Sequence, residues 1–232
     1  MNYKRNAKYF GRGVHIPFKD WLFILALVVG AFMYHVAAGV VAAVVLVLAM
    51  IGIYGGKPSD AEIDAQFNSM FDGLREQALN KLGLDEDEVK IAPPLFLKSY
   101  SFGKSVLGDR ANNEMCDKKG SDGYWRSPEV VLTAWFFTED QIYHYVKVAS
   151  LVSDAKKETT DEFFYKDVVS VKTDTLERRV STPDGSEVKQ NITAFILRNM
   201  GGEVTEDACD NSEYADNAVR AMRNLLKQKK MS

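Results

Sequence analysis

The residues that most often carry out protein chemistry are few in this 232-residue chain and lie far apart. There are two cysteines, Cys116 and Cys209, and three histidines, His15, His35 and His144. No CxxC pair and no cluster of cysteine with histidine occurs, so the ligand spacing of a zinc site is missing. The cysteines either form one disulfide in an oxidising compartment or remain two thiols in a reducing one. No metal and no other cofactor is predicted.

Three short features resemble catalytic or ligand-binding motifs without completing them. Gly-Lys-Ser at 103–105 lacks the glycine of a phosphate-binding loop, because the position five residues earlier is Lys98. The acidic run 85–88 lacks the glycine and the spaced ligands of a calcium loop and is typical of a solvated turn. His144 lies in a predicted strand, and the sequence assigns it no acid or thiol partner, which favours a structural histidine. We therefore predict no catalytic residue and a protein that is not an enzyme.

One alternative places an enzyme or transport-accessory site in a long loop. Residues 103–127 are rich in Gly, Asn, Asp, Lys and Ser and have little periodicity, which predicts a loop or insertion. Long loops often carry function. The candidate side chains there are Asp109, Arg110, Cys116 and Asp117.

Charge is distributed unevenly along the chain. Residues 1–20 hold five basic residues and one acidic residue, a balance of +4, and since the whole chain carries −3 the remainder carries −7. Nucleic-acid binding depends on neutralising many phosphates with Lys and Arg. No nucleic-acid partner is expected for so acidic a body.

Residues 21–56 contain no Asp, Glu, Lys or Arg over 36 positions. One straight helix of that length would measure about 54 Å, against a hydrocarbon core of about 30 Å. The surplus favours a transmembrane hairpin with arms at about 18–34 and 37–53, each near the lower limit of about 17 residues. One tilted span remains the main alternative. A cleaved signal peptide would leave the second half of the stretch unexplained.

A lipid bilayer is the first partner expected for this chain. The hairpin prediction also gives the orientation of the chain in that bilayer. The basic arm 1–20 should stay in the cytoplasm by the positive-inside rule, and a hairpin returns the body to that side, whereas one span would export it. The residues expected to anchor or turn the chain in the membrane are Trp21, Gly30, Tyr34, His35 and Gly39.

The segment 57–91 is predicted to hold an amphipathic helix and a linker. Ser59 and Glu62 form a capping-box pattern, and apolar residues recur at three- and four-residue steps over 59–82, until Gly83. A second amphipathic helix ends the chain. The apolar side chains expected to offer an interaction surface are Phe67 and Phe71 in the first helix and Met222 and Leu226 in the second.

Between these helices the pattern is that of strands. The runs 129–137 and 141–152 are separated by a short polar turn, and Pro-Asp-Gly at 183–185 marks a further hairpin. We predict an α+β fold, in which an antiparallel meander of six or seven strands within 92–232 is closed by the C-terminal helix.

Three phrases carry a resemblance to a family: FTEDQIYHY (137–145), FFYKDVVSVKT (163–173) and NAVRAMRNLLKQKK (217–230). Together with a membrane hairpin before an antiparallel meander, they resemble the bacterial pleckstrin-homology-like (PH-like) membrane proteins. The helix at 59–82 and the loop before Pro128 depart from the family pattern. The resemblance implies a partial β-barrel at 92–232, located at the bacterial inner membrane, with no catalytic residues to carry over.

Two binding functions follow from these expectations. The first is a membrane-anchored binding or scaffold protein whose partner is another protein or a second copy of the chain. The second is lipid sensing through the basic tail, which contains Lys227, Lys229 and Lys230.

Overall fold

The computed structural model describes residues 1–11, 18–108, 115–209 and 212–231. The helices in these ranges are α1 (Tyr3–Phe10), α2 (Phe18–Tyr34), α3 (Val36–Tyr54), α4 (Asp60–Phe71), α5 (Leu74–Leu82) and α6 (Ser212–Met231). The strands are β1 (Leu95–Tyr100), β2 (Lys118–Lys119), β3 (Trp125–Arg126), β4 (Glu129–Phe137), β5 (Gln141–Ser150), β6 (Lys156–Phe164), β7 (Val168–Ser181), β8 (Glu187–Asn199) and β9 (Val204–Cys209).

The strands form two main antiparallel sheets and one short ribbon. The first sheet has the order β1-β4-β5-β6, the second has the order β7-β8-β9, and β2 pairs only with β3. The α+β class, the antiparallel sheets and the C-terminal helix agree with the sequence prediction. The predicted hairpin at 129–152 is confirmed as β4 and β5, with Phe137 opposite Ile142 at its turn.

Strand β4 of the four-stranded sheet is buried on both faces, which explains its almost continuous apolar sequence. Alternation along β4 sends Trp135 and Phe137 to one face and Leu132, Ala134 and Phe136 to the other. The first face packs against the second sheet and α6. The second face packs against α1, α4 and α5. The body therefore has two hydrophobic cores, one on each side of this sheet.

The helix predicted at 59–82 is broken into α4 and α5. The capping box at its start is confirmed, because Ser59 and Glu62 exchange side-chain and backbone hydrogen bonds. Gly73 then adopts a left-handed conformation, with φ of 75°, which costs glycine little because it has no Cβ. The bend lets α5 follow the sheet, where Leu74, Ala78 and Leu79 are buried.

Helix α1 is bound directly to α4, although the apolar stretch separates them in the sequence. The guanidinium of Arg5 donates to both carboxylate oxygens of Glu62, at 2.7 and 3.1 Å. The side-chain amides of Asn6 and Gln66 donate to each other, at 2.7 and 3.2 Å. Phe10 is completely buried in the core beneath them. The chain before the apolar stretch and the chain after it therefore lie side by side.

Helices α2 and α3 form a hairpin with one non-helical residue, His35, between them. The Nδ1 atom of His35 accepts a hydrogen bond from the backbone N–H of Ala37, 3.2 Å away, at the start of α3. Gly39 is buried, and a Cβ there would overlap the ring of Phe32, so this glycine is needed for the close approach at the turn.

Six of the eight less exposed positions among the described side chains of the hairpin are placed symmetrically about His35. They are Ile24, Val28 and Ala31 in α2 and Gly39, Ala42 and Leu46 in α3. The other two, Trp21 and Ala43, have no such counterpart. Residues spaced by three and four lie on one face of a helix. A symmetric arrangement about the turn is what antiparallel packing of the two helices produces, and small residues at such a seam allow close packing.

The membrane-spanning arms expected from the sequence are not supported. Within the described ranges, no helix is both long enough and apolar enough to cross a membrane. Helix α2 has 17 residues and therefore rises about 26 Å, which is less than a hydrocarbon core of about 30 Å. The predicted boundaries 18–34 and 37–53 agree closely with α2 and α3, whereas the predicted crossing does not follow from them.

The hairpin of β7 and β8 extends well beyond the short strand β9. Strand β9 pairs with β8 only from Thr193 to Arg198. The remainder of β8, from 187 to 192, pairs with β7 alone among the strands that the structure describes. Ion pairs flank this extension, joining Lys189 to Glu177 and Arg179 to Glu187.

Replacing Phe10 with Ala tests whether α1 belongs to the body. We expect Phe10→Ala to lower the free energy of unfolding by about 3–5 kcal/mol, because it leaves a cavity in a filled core. The matched control is Phe23→Ala in α2, where the phenylalanine is 65% exposed. This control should leave the free energy of unfolding within about 0.5 kcal/mol of the wild-type value. Both values are measured by urea unfolding of the full chain in neutral detergent, and equal losses would contradict the assignment.

Candidate functional site

A cleft of about 550 Å³ opens where the two sheets, α4 and the β2–β3 ribbon meet. Four structural elements supply most of its lining, which is polar and aromatic. The lining residues are Asp64, Phe67 and Asn68 from α4, Ser99, Tyr100 and Phe102 from β1 and its end, Asp122, Tyr124, Trp125 and Arg126 from the ribbon, and Gln190, Asn191, Ile192 and Thr193 from β8, together with Cys209.

Arg126 organises the floor of the cleft. Its side chain is 3% exposed and donates to two carboxylates, with nitrogen–oxygen distances of 2.6 and 2.8 Å to Asp64 and 2.6 and 3.0 Å to Asp122. The hydroxyl of Tyr100 donates to the same Asp64, at 2.8 Å. A buried arginine needs such compensation for its lost hydration. The ribbon within the predicted loop therefore places one cation between α4 and β1.

These contacts shift the ionisation of the groups around Arg126. The hydrogen bonds from Arg126 hold the pKa of Asp122 at about 2, well below its usual range. The same two carboxylates raise the pKa of Arg126. Close by, burial and the hydrogen bond to Asp60 raise the pKa of Tyr9. Arg126 and Asp122 are therefore charged at neutral pH, and Tyr9 is a neutral donor.

Ser99 is the group in the cleft that points to a ligand. Ser99 follows Leu95 and Leu97 at alternate positions of β1, and both leucines face the core between the sheets. The serine side chain carries a polar hydroxyl group but is only 5% exposed. Its Oγ atom has no hydrogen-bond partner within the described residues. Buried polar atoms are nearly always hydrogen-bonded, and an exception calls for an explanation. A bound polar group in the cleft would supply the missing partner.

The lining indicates which ligands would fit. Asp64, Asp122 and Arg126 together contribute a net charge of −1, which disfavours an anion. Amide and hydroxyl groups of Asn68, Gln190, Asn191 and Thr193 can both donate and accept. Exposed Tyr124 and the rings near it offer apolar and cation–π contacts. A neutral or cationic ligand with both polar and apolar parts is suited to this cleft.

A second polar cluster lies inside the core and was missed from the sequence. The ring of His144 contacts two carboxylates, with Nε2 3.0 Å from Asp207 and Nδ1 3.3 Å from Asp161. Trp135 stacks on His144, with ring centroids 4.0 Å apart, and donates its indole N–H to Asp207 at 2.9 Å. The sequence did not assign these acid partners to His144, because they come from two other strands, β6 and β9. The cluster joins β5 and β6 to β9, with His144, Trp135 and Asp207 buried and Asp161 about half exposed, and so it connects the two sheets.

Of the four residues proposed for a site in the 103–127 loop, the structure describes Cys116 and Asp117. Asp109 and Arg110 lie outside the described residues. Cys116 is completely buried, and its backbone N–H donates to the carbonyl of Phe10. Asp117 is also buried and accepts a hydrogen bond from the backbone N–H of Ser181 at 2.9 Å. The two described members therefore hold the loop to the body.

The residues expected to form an apolar interaction surface pack within the chain. Phe67 is buried in the core under α4, and Phe71 is partly buried against that same core. Met222 and Leu226 are buried beneath α6. Their apolar area is used to close the two cores, so these side chains do not form an exposed patch.

The residues predicted as membrane anchors all lie in the hairpin. Trp21 and Gly30 are in α2, Tyr34 is 91% exposed at the end of α2, and His35 and Gly39 form the turn. The turn therefore lies where the sequence places it.

The two cysteines do not pair with each other. Cys116 and Cys209 are separate buried thiols rather than a disulfide. In the parts of the chain that the structure describes, no group of three His, Cys, Asp or Glu side chains is arranged to hold a metal ion.

Comparison of the chain with protein-family models, with curated proteins and with solved structures finds no match. Function must therefore be argued from the hairpin and the cleft themselves.

The orphaned hydroxyl of Ser99 predicts an unusual mutational effect. Ser99→Ala should raise the free energy of unfolding of the ligand-free protein by about 1 kcal/mol, because it removes a buried polar group that has no partner. The matched control is Ser127→Ala, since the Oγ of Ser127 is also buried but accepts a hydrogen bond from the backbone N–H of Glu129 at 3.2 Å. That change should lower the free energy of unfolding by a similar amount. Losses of stability in both variants would show that Ser99 has a partner in solution.

Stability below pH 4 should depend on Asp122. Its folded-state pKa of about 2 lies below the ordinary value of 3.8, so its contribution is present above pH 4 and is lost as the pH falls toward 2. Urea midpoints of wild type and Asp122→Asn should therefore differ at pH 5 and converge by about pH 2. A difference that stays constant across this range would rule out the ion pair with Arg126 as its cause.

Proposed function

We propose that this protein is a membrane-embedded, non-catalytic binding or scaffold protein. In this proposal the hairpin of α2 and α3 inserts into a lipid bilayer and holds the body at the membrane surface. The body is a PH-like domain, and the cleft around Arg126 and Ser99 receives its ligand.

The observation that carries the proposal is the exposure of the hairpin. No Asp, Glu, Lys or Arg occurs from 21 to 56, and none of the hairpin residues belongs to either core of the body. Large apolar side chains are exposed on both helices, among them Leu22, Phe23, Leu25, Leu27, Met33, Val41, Val45 and Leu48. Helices that are apolar all round are typical of buried or lipid-exposed segments, and this pair is not buried in the body.

The contact between α1 and α4 supports insertion of the hairpin from one surface of the bilayer. Since the segments before and after the hairpin are bound to each other, both ends of the hairpin meet the same surface of the bilayer. The basic residues of the arm 1–20 favour the cytoplasmic surface. A hairpin that enters from one face does not require either helix to cross, which is compatible with the short length of α2.

The arrangement of the body supports the PH-like assignment. Four antiparallel strands are followed by three more, and a helix then closes the space between the two sheets. This is the meander with a closing C-terminal helix that the resemblance implies. The inserted β2–β3 ribbon and the helices α4 and α5 are additions to it, and they build the cleft.

The chemistry of the cleft supports a protein partner or a second copy of the chain as the ligand. A polypeptide segment combines backbone amides with apolar or basic side chains, and so matches a lining that is polar, aromatic and slightly negative. The alternatives have less support. The tail residues Lys229 and Lys230 contact Glu139 and the carbonyl of Val168 and are thus already used within the chain.

Single introduced cysteines would test insertion and its side. The native thiols are buried, so the wild-type chain serves as the background. We expect Lys4→Cys and Lys157→Cys, both at exposed positions, to react with an impermeant maleimide only after the cells are permeabilised. The protein should also stay in the membrane fraction during alkaline carbonate extraction.

A third variant, Tyr34→Cys, reports how deep the hairpin reaches. It stays unlabelled on both sides if the turn ends within the bilayer, and it reacts in intact cells if the turn reaches the opposite surface. Release of the protein by carbonate, or labelling of Lys4→Cys and Lys157→Cys on opposite sides of the membrane, would refute the proposed insertion.

A further inference from the structure

Strand β9 stops short of the end of β8, and the cleft around Arg126 lies beyond its last residue. Cys209 is opposite Thr193 in the ladder between the two strands, and both residues line the cleft. Strand β1 also contacts β9 and contributes its own last residues to the lining. The cleft therefore occupies the space into which a longer β9 would continue along β8.

The side chains that face this space change from apolar to polar where each sheet borders the cleft. In β1, Ser99 follows Leu97 at the next alternate position, and in β8 Thr193 lies two residues from Phe195. Leu97 and Phe195 belong to the core between the sheets, whereas Ser99 and Thr193 line the cleft. The Oγ of Ser99 is buried there without a partner among the described residues. A polar ligand suits this space better than a continuation of the core.

The hydrogen-bond pattern of β8 shows which of its backbone groups point to the open edge. At the turn with β7, the N–H of Thr182 donates to the carbonyl of Ser186 at 2.9 Å. Bonded pairs recur at every second residue of an antiparallel ladder, and the register between β7 and β8 is regular here, so residues 188, 190 and 192 face β7. Residues 187, 189 and 191 therefore present their N–H and C=O groups to the opposite edge, which β9 pairs with only from Thr193 onward.

Of these three edge positions, Asn191 lines the cleft. Its carbonyl oxygen accepts a hydrogen bond from the side-chain amide of the preceding residue, Gln190, at 3.3 Å. That amide takes the place that the N–H of a neighbouring strand would occupy. Farther out, Lys189 and Glu187 are engaged in ion pairs across the hairpin. A single strand that enters beside Asn191 meets the open backbone before it meets those charges.

The charges of the cleft favour a basic side chain on an incoming segment. The side chain of Arg126 is 3% exposed, whereas Asp64 and Asp122, which it bridges, are each 39% exposed. The cation thus lies beneath the two carboxylates, and their outer sides remain accessible from the cleft. The exposed ring of Tyr124 lines the same cleft and can contact a cation through its face.

We propose that the cleft binds an extended segment of a partner protein as an added β-strand, which hydrogen-bonds to the backbone of Asn191 in line with β9 and places a Lys or Arg against Asp64 and Asp122. This inference rests on the proposed function, in which the cleft receives a polypeptide. In strand addition the main-chain hydrogen bonds supply affinity, and the side chains at alternate positions supply specificity. Ser99 then meets a polar group of the same segment.

The test uses the full chain in neutral detergent and a phage-displayed library of short random peptides. Selected peptides are synthesised with a fluorophore, and their binding is measured by fluorescence anisotropy. We expect a Lys or Arg flanked by residues that alternate in polarity, as an extended strand requires. Binding should weaken at high salt, because the basic side chain meets partly exposed carboxylates.

Two substitutions at one position separate the backbone from the side chain. Asn191→Pro should lower the affinity for the selected peptides at least about tenfold, because it removes the N–H at the open edge and its ring obstructs pairing. Asn191→Ala keeps the backbone groups and should bind within about twofold of wild type. Since the N–H of Asn191 faces away from β7, the proline variant should keep the thermal unfolding midpoint of the alanine variant.

A second pair of variants tests the charge. Asp122→Asn should lower the affinity about threefold and reduce its dependence on salt. Asp174→Asn removes the same charge from an exposed carboxylate of β7 that pairs with Lys172, and it should bind as wild type does.

If the proline variant fails to fold, the peptide carries the modification instead. Single N-methyl groups are placed at successive residues of the selected peptide. Only alternate N–H groups of an added strand point to β8, so the loss of affinity should recur at every second residue.

Equal binding of the selected peptides to Asn191→Pro and Asn191→Ala, or a loss on N-methylation without the period of two, would overturn strand addition. Self-association of the chain that Asn191→Pro abolishes would show a second copy as the occupant and overturn the partner segment. Peptides that still depend on Asp122 would preserve the cleft as a binding site, whereas the absence of any cleft-dependent peptide would contradict the proposed function as well. The cysteine and carbonate experiments report membrane insertion independently.

Discussion

The binding of α1 to α4 constrains everything else in this molecule. The pairs Arg5–Glu62 and Asn6–Gln66, above the buried ring of Phe10, hold together two segments that the apolar stretch separates by about fifty residues. That contact forces the intervening chain to leave the body and return to the same place. The hairpin is therefore a projection from the body and cannot be a connector between two separate parts.

The four-stranded sheet separates two kinds of surface. On one face it carries α1 and α4, and α4 together with the β2–β3 ribbon positions the Arg126 cleft. On the other face it carries the second sheet and α6. The ribbon supplies Asp122 and Arg126 to the cleft, so a change in the ribbon would alter the charge of its lining.

The parts of the fold that depend on local pattern were predictable. The composition of residues 129–137 and 141–150 predicts strands there. The few residues of the apolar stretch that favour a turn predict the end of the hairpin arms near His35. The break at Gly73 was not predictable, because a single glycine is tolerated inside a helix. Whether the helix continues or breaks there depends on how the following residues pack on the sheet. The site was also hidden: Arg126 follows Trp125 in a loop rich in Gly and Asp, and its partners come from elements that only the folded chain brings together.

The extension of β7 and β8 beyond β9 bears on whether copies of the chain associate with one another. In the membrane-embedded state that we propose, the protein diffuses in two dimensions, so copies meet at high local concentration, and an open strand edge invites copy-to-copy pairing. Beside the open edge of β8, Lys189 and Glu187 engage Glu177 and Arg179 across the hairpin. A second ribbon approaching this edge would have to strip water from those charges, so the extension can protrude without polymerising.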